Sequence, residues 1–287
     1  MVIRLFGHSP SKRALLGGLA ATGEMGAGEQ ARPAGGRSDQ AASAAVTYVG
    51  HATVLIEAGG ARFLTDPLLR GRVGHLRRVA SFLPPPAFAA PDGVLISHAH
   101  HDHLDLPSLR SLAPSALGVV PRGWGALLGR AGFDDVVEVE AGDRVAVAGV
   151  DVLVTDAEHD GRRLPVGRPS PAVGYMIESD ARIYFAGDTD LFDGMGDLAG
   201  EVAVALLPVA GWGRRPPRGH LDPERAAQAA ALVGPSVAVP IHWGTFTPFG
   251  IRHPPAEAAP REFARLTRRY APGVDVRVLE PGERLAI

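Results

Sequence analysis

The chain has 287 residues, 46% of them hydrophobic and 21% charged, with a formal net charge of −2; it holds ample material for a buried core and no charge surplus that would recruit nucleic acid. Cysteine and asparagine are absent and the only lysine is Lys12, which excludes disulfides, thiolate metal ligands, asparagine-linked glycosylation and a lysine Schiff base in the folded body. No apolar run reaches the roughly 18 to 20 residues that span a bilayer.

Residues 1–44 are rich in Gly, Ala, Ser and Gln and show neither helical nor strand periodicity, so a disordered extension is expected ahead of one domain over 45–287. Lys12-Arg13-Ala14-Leu15-Leu16 begins like an export signal, but Gly17, Gly18 and Glu24 interrupt it, and a cytoplasmic location is the expectation. Strand patterns open at Val46–Val49 and Thr53–Glu57, and Ala61–Thr65 returns across the turn at Ala58-Gly59-Gly60. Leu68 to Ala90, with Pro84, Pro85 and Pro86, reads as a long connection: either a packed surface loop or a roof over the pocket whose apolar residues would admit a lipid chain. Val94–Ile96 is a short buried strand, followed by a helix near Leu106–Leu112 and a second over Arg122–Ala131 closed by Gly132.

The centre of the chain reads as strands at Val136–Val139, Arg144–Val147 and Val150–Val154, then a hairpin of Val173–Glu178 and Arg182–Ala186. Val202–Leu207 is apolar throughout, as a strand covered on both faces should be. Asp222-Pro223-Glu224 caps and opens a helix that Ala226–Val233 carries to Gly234, and Ser236–Ile241 is the next buried strand. Strand-rich halves punctuated by helices indicate packed sheets with helices outside, an α+β fold for which a four-layer αββα sandwich fits.

The chemistry concentrates behind the strand ending at Ile96, where Ser97-His98-Ala99-His100-His101-Asp102-His103 carries His-x-His-x-Asp-His at positions 98, 100, 102 and 103. His98 and His100 alternate and can point the same way from extended chain, while Asp102 and His103 fall where the chain turns. Imidazole and carboxylate are the ligands zinc accepts when thiolate is unavailable. His159, Asp188 and His242 each follow another apolar strand, so a chance histidine tract is a poor account of the whole set.

With Gly50-His51-Ala52-Thr53, Thr65-Asp66-Pro67, Ala186-Gly187-Asp188-Thr189, Gly219-His220-Leu221-Asp222-Pro223 and Pro240-Ile241-His242-Trp243-Gly244-Thr245-Phe246, the pattern resembles the metallo-β-lactamase superfamily. It looks most like the branch containing N-acyl phosphatidylethanolamine phospholipase D and ascorbate-6-phosphate lactonase. The resemblance implies the αββα fold and two divalent metal ions, zinc favoured, with iron or manganese as other candidates. It places His98, His100 and His159 at one ion and Asp102, His103 and His242 at the other, with Asp188 bridging. It further implies a metal-bound hydroxide acting on a phosphodiester or on a lactone or ester, in a small-molecule or lipid-like substrate.

Around this centre, His220 is expected at the mouth of the site as a catalytic group, with a capping role as its alternative. His51 either contacts substrate or satisfies backbone carbonyls beneath the metals. Arg162 and Arg214, with their neighbours Arg163, Arg168, Arg215 and Arg218, lie on loops leaving ligand positions and are either phosphate contacts or solvated loop residues. Asp66 is expected to accept a hydrogen bond from a ligand histidine rather than to bind metal. A redox diiron protein or a non-catalytic metal-binding module on the same fold is the alternative to the hydrolase.

Overall fold

In a computed structural model of the protein, the structure describes residues 44–81, 90–112, 116–164, 169–209, 218–249 and 257–287. The expected extension, apart from Ala44, lies outside them, as do Pro84 to Pro86, Arg168, Arg214 and Arg215. In chain order the elements are β1 (Ala44–Gly50), β2 (Thr53–Ala58), β3 (Ala61–Thr65), β4 (Arg72–Val73), β5 (Leu76–Arg78), β6 (Gly93–Leu95), α1 (Leu106–Leu109), β7 (Leu117–Pro121) and α2 (Gly125–Ala131). There follow β8 (Val136–Val139), β9 (Arg144–Val147), β10 (Val150–Asp156), β11 (Val173–Glu178), β12 (Arg182–Phe185), a 3-10 turn at Asp193–Leu198 and β13 (Val202–Pro208). The last are α3 (Pro223–Val233), β14 (Val237–Ile241), β15 (Phe246–Pro248), α4 (Ala258–Tyr270), β16 (Asp275–Val276) and β17 (Arg284–Ala286).

Two seven-stranded sheets form, in the orders β17-β1-β2-β3-β6-β7-β8 and β16-β14-β13-β12-β11-β10-β9. Side-chain alternation sorts the first sheet's residues between two cores. Tyr48, Val54, Ile56, Phe63, Leu95 and Val119 point at the second sheet and join its Val152, Tyr175, Ile183 and Leu206. Their neighbours Leu55, Leu64, Val94 and Val120 point outward and are covered by Leu109 of α1 and by Leu128 and Ala131 of α2. On the far side of the second sheet, Ala226, Ala230 and Val233 of α3 pack with Phe263 and Leu266 of α4. Helix, sheet, sheet, helix is the expected four-layer sandwich.

The cap of α3 is as the sequence indicates: Asp222 Oδ1 accepts from the Arg225 N–H at 2.8 Å and Gly234 ends the helix in the left-handed region at φ 63°. Two helices are shorter than expected. α1 stops at Leu109 because the chain tightens into i→i+3 turns, Ser111 N to Ser108 O and Leu112 N to Leu109 O. α2 begins at Gly125, after a turn in which Gly123 takes φ 94°. Within the described part of the connection from Leu68, β4 pairs with β5 and β5 with β15, a three-stranded sheet beside the cluster of Leu68, Val73, Leu76 and Phe246.

Candidate metal centre

Strand direction gathers the chemistry at one edge. β1, β3 and β6 run the same way in the first sheet, and β10, β12 and β14 in the second. His51, Asp66, the segment from His98 to His103, His159, Asp188 and His242 follow the carboxyl ends of those six strands in turn. His51, Asp66 and His242 hold φ of 59°, 33° and 63°, a conformation that costs a non-glycine residue about 1 to 3 kcal/mol and persists only where surroundings impose it. Gly187 also sits at positive φ, and a Cβ there would lie 2.5 Å from Ser97 Cβ; only glycine lets Asp188 approach the histidine segment this closely.

The first cluster is His98, His100 and His159. His98 Nε2 lies 2.9 Å and His159 Nε2 3.2 Å from His100 Nδ1. Their tautomers follow from the outer nitrogens. Ser97 donates its hydroxyl proton to Asp66 Oδ2 at 2.5 Å, so it accepts from His98 Nδ1 at 2.9 Å. His159 Nδ1 donates to the Gly219 carbonyl at 2.7 Å. Both Nε2 atoms are therefore bare lone pairs aimed at one point, where a single His100 N–H could satisfy only one. A tetrahedral ion with Zn–N bonds of about 2.0 to 2.1 Å would separate its nitrogens by roughly 3.3 Å, close to these spacings. Burial first, and neighbouring histidines second, lower the affinity of His98 and His100 for protons, His100 to about 4.

The second cluster faces it. His103 Nε2 lies 3.2 Å from Asp188 Oδ2 and 3.8 Å from Asp102 Oδ2, and His242 Nε2 lies 3.4 and 4.0 Å from the same two oxygens. Burial pushes both carboxyls up. His242 and His103 outweigh it at Asp188, and His103 and His51 do so at Asp102, holding both carboxylates well below their usual range. Burial likewise lowers His103, but Asp188, Asp102 and Asp66 overcome it and hold that imidazole well above the ordinary histidine value. Asp188 Oδ1 is buried without a hydrogen-bond partner among the described residues, which a bridging position between two cations would satisfy. The residues fit a metal centre.

Asp66 is fully buried and accepts from Ser97 N at 2.7 Å, from Ser97 Oγ and from His103 Nδ1 at 2.7 Å. It orients a candidate ligand, as expected. His220 is 19% exposed at the rim, its Nε2 3.5 Å from Asp188 Oδ2 and its ring 4.7 Å from that of His159. His51 is brought into the second cluster, 3.1 Å from Asp102. Two of the arginines make contacts within the chain: Arg162 Nε donates to Asp160 Oδ2 at 2.6 Å, and Arg163 donates to the carbonyls of Ala99 and Leu104 at 3.1 and 2.8 Å, bracing the histidine segment from outside. Sequence reasoning missed Ser97, the Gly219 carbonyl and Asp190, whose carboxylate accepts from Gly219 N at 3.3 Å and pairs with Arg225. Their only signal was position: Ser97 and Gly219 adjoin His98 and His220, and Asp190 lies two residues beyond Asp188.

Residues 61–243 match the family described as Beta-lactamase superfamily domain. The chain belongs to the metallo-β-lactamase superfamily. Within that superfamily it is 32% identical over 257 residues to a UPF0173 metal-dependent hydrolase of Methanopyrus kandleri, covering 83% of this chain and 97% of the relative, and so belongs with the UPF0173 metal-dependent hydrolases. A solved metallo hydrolase from Ignicoccus hospitalis superposes with a TM-score of 0.65 at 29% identity, over 84% of this chain and 97% of that one. The isothiocyanate hydrolase from Delia radicum gut bacteria, 18% identical with a TM-score of 0.65 over 85% and 98% of the two chains, shares the metallo-β-lactamase fold.

Proposed function

We propose that the chain is a dinuclear metal-dependent hydrolase of small-molecule or lipid-like phosphodiesters, lactones or esters. One observation carries this reading. Imidazole nitrogens and carboxylate oxygens converge in two adjoining clusters while the outer ring nitrogens of His98, His103 and His159 are tied to Ser97, Asp66 and Gly219. His98, His100 and His159 would hold one ion; Asp102, His103 and His242 the other; Asp188 would bridge them. The all-nitrogen first set and the absence of thiolate favour zinc, with iron or manganese as the alternatives.

When bound, divalent ions at these positions supply an activated water and polarise the scissile group. The protein's own contribution is arrangement. Asp188 and Asp102 remain ionised and share the two imidazoles, and Asp66 fixes the ring plane of His103. His220, at the rim and partly exposed, is placed to deliver a proton to a leaving oxygen or to hold an anionic one. The phosphodiester and lactone chemistry rests on the resemblance to the phospholipase D and ascorbate-6-phosphate lactonase branch.

Full-length protein loaded with zinc is to be assayed on a nitrophenyl phosphodiester, a set of lactones and an N-acyl phospholipid. Turnover of at least one class, abolished by chelation and by Asp188→Ala, is expected. Protein that holds two ions and turns over none of them, or turnover indifferent to chelation, overturns the reading. Bound iron with oxygen consumption and no hydrolysis would support the redox alternative.

A further inference from the structure

His51 touches two candidate ligands of the same ion by different means. Its ring Nε2 lies 3.1 Å from Asp102 Oδ2. An ionised carboxylate only accepts, so Nε2 carries the proton and donates it, and that nitrogen has no lone pair left for a metal. The backbone carbonyl of His51 accepts from the His242 N–H at 2.8 Å, where the chain leaves β14. The residue therefore links a side chain of the first sheet's loop to the backbone of the second sheet's loop.

The surroundings leave His51 little freedom. It is 1% exposed, its ring centroid is 4.0 Å from that of His242, and Phe246 stands edge-on at 5.6 Å. Its own N–H donates to Thr245 Oγ1 at 2.7 Å. Gly50 precedes it at φ +125°, where a Cβ would come within 2.9 Å of Thr245 Oγ1, so the glycine is what allows the chain to run beneath Thr245 and present His51. Thr245, His242 and His51 thus form one hydrogen-bonded unit beneath the second cluster.

We propose that His51 is a positioning residue that fixes the Asp102 carboxylate and the His242 backbone for the second ion, without ligating that ion through Nε2. The proposal rests on the metal assignment above. It makes His51 a determinant of how strongly the second position is filled, and gives it no contact with substrate.

The test is a Co(II) titration of metal-stripped full-length protein, followed by visible absorption and equilibrium dialysis, with His242→Ala marking the step that belongs to the second position. His51→Ala is expected to leave the first step within about twofold and to weaken the second about 10- to 100-fold, the usual cost of losing a partner of a ligand. His51→Gln, whose amide still donates to Asp102, should recover most of that loss. In an Asp102→Asn background, His51→Ala should add little, because the coupled interaction is already gone. Should His51→Ala not fold, His51→Phe, which fills the space without donating, replaces it. Fewer than two steps in the wild type would refute the metal assignment. Two wild-type steps with an unchanged second step in His51→Ala, or equal losses in the Gln and Ala variants, would overturn the positioning role and, in the latter case, mark His51 as a direct ligand.

Discussion

His159 donates its Nδ1–H to the carbonyl of Gly219 at 2.7 Å, so a candidate ligand of the first ion fixes the residue immediately before His220. The Gly219 N–H is held from the other side by Asp190, itself paired with Arg225 of α3. The backbone next to the rim histidine is therefore tied to the first cluster. His220→Gln should keep both ions and the fold while lowering turnover by about 10²- to 10⁴-fold on a substrate with a poor leaving group, the range of general acid catalysis. The loss should be smaller on a nitrophenyl ester, whose leaving group needs no proton. Steady-state kinetics with both substrates decides: unchanged rates, or a variant that cannot hold metal, returns His220 to a structural role.

Asp188 contacts His103, His242 and His220 at 3.2, 3.4 and 3.5 Å through one oxygen and leaves the other buried. Asp188→Ala should therefore lower metal content at both positions, whereas His242→Ala should cost about one ion per chain. Elemental analysis of the purified variants gives the stoichiometry. Retention of two ions by Asp188→Ala would remove the bridge.

Asp66→Asn keeps the volume and loses the charge that receives three hydrogen bonds from Ser97 and His103. Metal affinity should drop about 10- to 100-fold, and thermal unfolding should show a loss of about 1 to 3 kcal/mol from the imperfectly paired buried groups. A variant that binds metal as the wild type does would show that the ring of His103 needs no external support.

Stripped of metal, the protein should lose stability in mild acid. Burial lowers His100 to about 4 and His242 to about 3; unfolding returns both to about 6.5. From pH about 6.5 down to about 4 the unfolded chain binds more protons, so stability falls with falling pH. Asp66, raised by burial, opposes this at the acid end, while the raised His103 contributes fully below pH about 6.5 and is lost as pH climbs through its folded value. Melting temperatures of stripped protein at pH 7, 6 and 5 should decline in that order; a flat or rising series would contradict the burial of neutral imidazoles.

Zinc should reverse that weakness. At free metal a hundredfold above the dissociation constant, each site adds about 2.7 kcal/mol, which for a domain of this size raises the melting temperature by roughly 5 to 10 °C. Differential scanning with and without zinc measures it, and no shift would mean that the clusters do not bind zinc in the folded state.

The histidine segment was legible because four donor residues fall within six positions behind an apolar strand, and strand direction then brings His159, Asp188 and His242 to the same edge. His51 was not, since both its readings fit a tight connection and only the fold sets Asp102 against its ring. The edge strand β17 pairs with β1 across almost the whole chain, a register no local pattern encodes. β7, with Gly118 inside it and Pro121 at its end, carries a strand signal too weak to assign from the sequence, and α4 buries only Pro260, Phe263, Leu266 and Thr267 among four arginines, a thin apolar stripe that periodicity alone overlooks.

The two sheets contribute unequally placed halves of one centre: His98, His100, Asp102 and His103 hang from the first, His159, Asp188 and His242 from the second. Each ion would then have donors in both layers and act as a rivet through the sandwich at its open end, where the apolar core gives way to polar side chains. Amide protons at the carboxyl ends of β6, β12 and β14 should exchange more slowly in the loaded protein while those at the opposite edge change little, so that metal occupancy could be read from the backbone, far from any substrate.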